Sequence, residues 1–245
     1  MKRIIFALML ALMAVGAIQA RTFVLITGVS NYYGAANDLG QTTKDAKNFR
    51  DVMATQTKDI TILTSKNVTY DNVMEKLSAI CNRAQAKDRI IFFYSGHGAP
   101  GYICATDRLI PYEDVVEKLS KSAAGEKIVF VDACFAGTMT NAATGNAWAT
   151  TAGKNGMAFL LASAPQEVSA ESPFLGAGYF TQALIKGIRG KADFNGDKKI
   201  TMAELAKYVI KDVKIHSNDT QHPKLVGSKS MAKAVIATWP APVKK

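Results

Sequence analysis

Cysteine is scarce in this chain: Cys81, Cys104 and Cys134 are the only three among 245 residues. The number is odd, so a fully closed disulfide framework is excluded, and at least one thiol stays free or bonds to another molecule. Lys and Arg outnumber Asp and Glu by 30 to 20. Yet the sequence has no polybasic run and no aromatic–basic stripe, which argues against nucleic-acid binding. The basic surplus serves solubility or attracts acidic partners. Internal repeats and a domain linker are also lacking, so one domain with a substantial core is expected. Two catalytic signatures fail. Gly153-Lys154 would close a phosphate-binding loop, but Trp148 stands where its first glycine belongs. Gly28-Val29-Ser30-Asn31-Tyr32 follows an apolar run, but Tyr32 replaces the last glycine of a serine-hydrolase elbow.

The amino end carries a segment of another kind. Lys2 and Arg3 precede an apolar stretch from Ile4 to Ile18, and Ala17-Ile18-Gln19-Ala20 offers a small residue at a cleavage point. This is the pattern of a signal peptide over residues 1–20, with Ile18 larger than that site prefers. A membrane anchor is the alternative, but the apolar stretch is too short to span a bilayer comfortably. No cysteine follows Ala20, so a lipid-anchored end is not expected. The mature chain, residues 21–245, is then exported, periplasmic or secreted, with no membrane association after cleavage. Export permits disulfides, but Cys81 in a helical pattern and Cys104 in a short strand-like stretch read as buried small hydrophobes.

Apolar β-type runs alternate with helical patterns. Strands are expected at Thr22–Thr27, Ile60–Thr64, Arg89–Tyr94, Lys127–Ala133 and Met157–Ala162. Helices are expected at Thr43–Thr57, Tyr70–Gln85, Tyr112–Ser120, Gly178–Ile188 and Met202–Ile215. The third and fourth strands are almost continuously apolar, as strands covered on both faces are. The alternation predicts an α/β fold with a largely parallel sheet between helical layers.

Two of these strands end on reactive side chains. Phe92-Phe93-Tyr94-Ser95-Gly96-His97-Gly98 ends on a histidine, and Val129-Phe130-Val131-Asp132-Ala133-Cys134 ends on a cysteine. Chemistry in open α/β sheets collects at the carboxyl ends of strands, and a thiol beside an imidazole is a nucleophile–base pair. His216 and His222 fall in a helix end and a polar loop and read as surface residues. The stretch from Ala136 to Asn155, rich in Gly, Ala, Thr and Asn, reads as a cleft loop. Any self-cleavage there is expected after Lys154, its one basic residue.

Ser95-Gly96-His97-Gly98 followed by Asp132-Ala133-Cys134 resembles the caspase-like cysteine peptidases, metacaspases and their bacterial relatives above all. Phe23 to Tyr32 is similar to that family's opening strand, Leu39 to Ala46 to the entry of its first helix, and Gly178 to Leu184 to the helix after its fifth strand. The resemblance runs from Arg21 to Gly227. It implies a caspase-like three-layer α/β/α sandwich and a cysteine endopeptidase working as a dyad. Cys134 would be the nucleophile and His97 the acid–base group, with the Gly98 and Cys134 amides as the oxyanion hole. It also implies peptide or protein substrates with Arg or Lys at P1, selected by Asp132 and Asp45. Strand alternation puts Asp132 on the Cys134 face. Asp45 has a competing reading as a cap of its helix, since Thr42-Thr43-Lys44-Asp45 has capping-box spacing. A catalytically silent binding module on the same fold is the other functional reading. No cofactor is required for the implied chemistry. Calcium is the one cofactor the sequence suggests: Asp193, Asn195, Asp197, Thr201 and Glu204 stand at the ligand positions of an EF-hand-like loop. Lys198 departs from that pattern at the turn glycine, and Thr201 to Glu204 also fits a capping box.

Overall fold

The structure is a computed structural model that describes residues 20–32, 34–137, 155–164, 171–172 and 177–240. In chain order its main elements are β1 (Thr22–Gly28), α1 (Thr42–Met53), β2 (Asp59–Thr64), α2 (Tyr70–Arg83) and β3 (Arg89–Ser95). Three short strands follow, β4 (Gly98–Ala99), β5 (Tyr102–Cys104) and β6 (Leu109–Pro111), then α3 (Tyr112–Ser120), β7 (Glu126–Asp132) and β8 (Met157–Leu161). The rest comprises β9 (Glu171–Ser172), β10 (Ala177–Gly178), α4 (Tyr179–Lys186), β11 (Lys199–Thr201), α5 (Met202–His216), β12 (Lys224–Gly227), α6 (Lys229–Ala232) and β13 (Val235–Thr238).

The central sheet has six strands in the order β12-β8-β7-β3-β1-β2, parallel except for β12, which runs antiparallel to β8. All five expected strands lie in it. Because side chains alternate along a strand, each central strand feeds two cores. Phe23, Leu25, Phe92, Tyr94, Val129, Val131 and Phe159 pack under α2 and α3. Val24, Ile26, Ile91, Phe93, Ile128, Phe130 and Leu160 pack under α1, α4 and α5. Phe49 of α1 closes the second core, stacked on Phe93 at 4.3 Å between ring centroids and edge-on to Phe130 at 5.8 Å. This is the three-layer α/β/α sandwich with a largely parallel sheet that the sequence predicts.

The helices start where local chemistry allows. The Thr69 hydroxyl caps α2 by accepting from Asn72 N–H, and Thr201 and Glu204 form a reciprocal capping box on α5. The first helix differs from expectation. Gln41 occupies its N-cap without a side-chain bond, one residue before Thr42, and Asp45 N–H donates to the Gln41 carbonyl at 2.8 Å. Asp45 therefore does not cap α1, and its carboxylate is turned elsewhere.

Candidate functional site

Strands β3 and β7 are adjacent and parallel, with Ser95 opposite Asp132. They end level. His97 lies two residues beyond one end and Cys134 two beyond the other, so the fold carries both to the same edge of the sheet. The loops behind them are in close contact. A Cβ at Gly98 would stand 2.3 Å from the Cys134 carbonyl oxygen and 3.0 Å from the Ala133 Cβ, so only glycine fits between the histidine and cysteine turns. Cys134 is half-buried and not in a disulfide. Phe135, the next residue, has φ of 56°, a left-handed conformation that a bulky side chain adopts only under constraint. The constraint comes from β8. Two residues past its end stands Ser163, whose Oγ donates to the Ala133 carbonyl at 3.1 Å and accepts from Ala136 N–H at 3.2 Å. The turn bearing the thiol is thus pinned on both sides.

His97 Nε2 lies 2.8 Å from the Asn37 carbonyl oxygen. A carbonyl can only accept, so Nε2 carries the proton and the neutral ring keeps its lone pair on Nδ1. Sequence reasoning missed this partner, since a main-chain carbonyl leaves no side-chain signature. Beside the histidine opens a cleft of about 430 Å³ lined by Tyr32, Asn37, His97, Cys104 and Leu109 among others. Cys104 corrects one expectation. It is half-buried and lines this cleft, while Cys81 is buried as expected. Burial pushes the Cys104 thiol up, and the nearby Cys134 thiol adds to the shift, so Cys104 stays protonated at neutral pH.

On the other face of the sheet edge two acidic side chains converge. Asp132 is 6% exposed and Asp45 1%. Asp132 Oδ2 accepts from Thr181 Oγ1 at 2.7 Å and Thr181 N–H at 3.2 Å, capping α4 from a neighbouring strand. Asp45 Oδ2 accepts from Ser95 Oγ at 3.2 Å and Gly178 N–H at 3.3 Å. Gly178 joins the two, since a Cβ there would lie 2.6 Å from Asp132 Oδ2. The amino end of α4 offsets the repulsion between the carboxylates. Ser95, the third member of this group, was visible in the histidine motif but not recognisable as a neighbour of Asp45, because the contact spans 50 residues.

The EF-hand-like loop is held by hydrogen bonds from its own main chain. Among the described residues no group of three or more His, Cys, Asp and Glu stands close enough to hold a metal. Asp193 accepts from the Gly196 and Lys198 amides, Asn195 from Asp197 N–H and Asp197 from Lys199 N–H. Lys198 takes φ of 63°, the conformation that favours glycine at that turn. Glu204 Oε2 accepts from both Thr201 N–H and Thr201 Oγ1. Glu204→Ala is expected to cost about 1 kcal/mol, or roughly 2–4 °C in Tm for a domain of this size. Thermal melts check it, and the loss should be equal in calcium and in chelator. A loss confined to calcium-loaded protein would assign Glu204 to an ion instead. His216 and His222 lie at the surface as expected, beside Asp212 and Asp219. The self-cleavage expectation falls on Lys154, outside the described residues, as does most of the Ala136–Asn155 loop.

Comparison with known proteins agrees with this geometry. A stretch of 117 residues, 44% of this chain, is 30% identical to Metacaspase-1 of Scheffersomyces stipitis. It spans 29% of that protein, so the chain covers less than a third of the relative's length. Caspase-1 of Spodoptera frugiperda has the same fold at a TM-score of 0.68 with 14% identity, over 91% of this chain and 92% of that one. A Geobacter sulfurreducens protein superposes with a TM-score of 0.67 and 17% identity, over 89% of this chain and 98% of its own. Residues 21–235 match the caspase-domain family model, and with the strand ends, the Gly98 contact and the sandwich in agreement, the chain belongs to the caspase-domain family, Peptidase_C14.

Proposed function

We propose that this protein is an exported cysteine endopeptidase that cleaves after Arg or Lys. The observation that carries the reading is the level ending of β3 and β7, which brings His97 and Cys134 to one sheet edge. Family membership supports peptidase chemistry. Cys134 Sγ attacks the scissile carbonyl carbon, and the carbonyl electrons move to its oxygen. The Gly98 and Cys134 amides stabilise that oxyanion, with Gly98 free to approach closely. His97 takes the thiol proton at Nδ1, oriented by the Nε2–H bond to Asn37, and delivers it to the leaving amine. The C–N bond breaks and a thioester remains. Water, deprotonated by His97, then releases the acid and restores the thiol. No cofactor enters these steps.

The basic P1 preference rests on Asp45, Ser95 and Asp132. Two carboxylates buried side by side favour a cation, and a guanidinium offers a forked set of donors. Arg is therefore preferred over Lys. Rates on peptides differing only at P1 test this, and a preference for Asp or Leu would overturn it.

For the proposed cleavage after Ala20, the surroundings of Arg21 are acidic. Its main-chain N–H donates to the buried Asp88 carboxylate at 2.9 Å, and its guanidinium pairs with Asp59 at 2.9 Å. Cleavage after Ala20 would turn that amide into an α-ammonium facing Asp88, a charged and stronger bond. Mass spectrometry of protein recovered from its native host should find Arg21 at the amino terminus. An intact Met1 would contradict export through this segment.

A further inference from the structure

We infer that Tyr32 is a positioning residue for His97, acting through a closed ring of hydrogen bonds that runs through the histidine's own main chain. The inference deepens the proposed function, since it gives His97 the acid–base role. The geometry begins with Tyr94, the last aromatic residue of β3. Its hydroxyl oxygen lies 2.7 Å from the His97 carbonyl and 2.8 Å from the Cys104 carbonyl. Carbonyls only accept, and a phenol has one proton, so the Tyr94 proton is spent on them. The same oxygen accepts from Cys104 N–H at 3.2 Å. Tyr32 Oη stands 3.3 Å from Tyr94 Oη, and with the Tyr94 proton committed, Tyr32 must be the donor. Tyr32 Oη in turn accepts from His97 N–H at 2.7 Å. The directions close a circuit: His97 N–H to Tyr32, Tyr32 to Tyr94, and Tyr94 back to the His97 carbonyl.

Three further observations fit a device that fixes the imidazole. The Tyr32 ring lies against the His97 ring, 4.6 Å between centroids and tilted by 49°. Asn37, which holds Nε2, belongs to the same loop after β1 as Tyr32. Gly96 makes room for both phenols: a Cβ there would stand 2.4 Å from Tyr94 Oη and 2.6 Å from Tyr32 Oη. Burial holds both phenols well above the ordinary range, so both keep the protons that the circuit needs. Rings of hydrogen bonds polarise one another in a low-dielectric interior, and opening one link loosens the rest. A histidine set even 1 Å off costs rate without weakening substrate binding.

The test compares Tyr32→Phe, Tyr94→Phe and the double variant. Tyr32→Phe keeps the ring and removes only the hydroxyl. Each single variant should lower kcat about tenfold with KM within twofold, and thermal melts should find the fold intact. The double variant should be little worse than either single, because one break already opens the circuit. Unchanged kcat in Tyr32→Phe, or losses that multiply in the double variant, would overturn the ring. Amide exchange of the unaltered protein gives an answer that depends on no variant. The His97 N–H should exchange slowly although it lies beyond the end of β3, and exchange at the rate of an open loop would also overturn it. Failure of the acid–base reading looks different: His97→Ala would then retain activity, whatever the amide does.

Discussion

Cys134→Ala and His97→Ala are each expected to lower kcat/KM on a P1-Arg peptide by at least about a thousandfold. Without Sγ there is no atom to form the thioester. The imidazole is the group that removes the thiol proton and protonates the leaving amine. Because the two act on one proton transfer, the double variant should be no slower than the worse single one. Stability should hardly change. Cys134 is half-buried, and Ser163 holds its turn through the main chain of Ala133 and Ala136. Initial rates with thermal melts on the same preparations measure both effects. Turnover near that of the unaltered protein in either variant would remove that residue from the reaction.

Asp132→Ala should have the second-largest effect, and it should depend on the substrate. On a P1-Arg peptide the loss should be about 2–5 kcal/mol, the range for truncating one side of a buried charge pair. That corresponds to a fall in kcat/KM of roughly 30- to several-thousandfold. A P1-Leu peptide, poor to begin with, should lose little. The variant should also be less stable, because Thr181 N–H and Oγ1 lose their acceptor at the start of α4. Leaving such donors unpaired costs about 1–3 kcal/mol. Asp132→Asn separates the two effects. An amide oxygen can still accept from Thr181, so stability should be largely restored while Arg selectivity stays lost. Equal losses on Arg and Leu peptides would mean that Asp132 only braces the helix.

Of the five strands expected from the sequence, β3 and β7 read most plainly because burial on both faces leaves continuous apolar runs, as in Phe92-Phe93-Tyr94 and Val129-Phe130-Val131. The level ends of β3 and β7 follow from those runs, which is why His97 and Cys134 could be named together. What escaped was of other kinds. Strand β12 has only four residues, Lys224 to Gly227, and lies at the sheet edge with both ends exposed, too short for a period to register. Of the β4–β5–β6 group, with strands of two and three residues, only the strand-like stretch at Cys104 was legible, and β4 and β6 escaped for the same reason. That group turns Cys104 into the cleft, where a bare sequence suggests a buried thiol. Asn37 acts through its carbonyl, which any residue has. Asp45 does not take the capping role that spacing also allowed, because its carboxylate accepts from Ser95 and Gly178, contacts set by tertiary structure rather than by spacing.

Cleavage of a peptide library varied only at P1, by the unaltered protein and by Cys134→Ala side by side, tests the central claim most directly. The expected result is cleavage after Arg, then Lys, by the unaltered protein, with neither Asp nor Leu competitive and Cys134→Ala inert throughout. Cleavage best after Asp or Leu, equal cleavage by Cys134→Ala, or no cleavage of any peptide by the unaltered protein would contradict it.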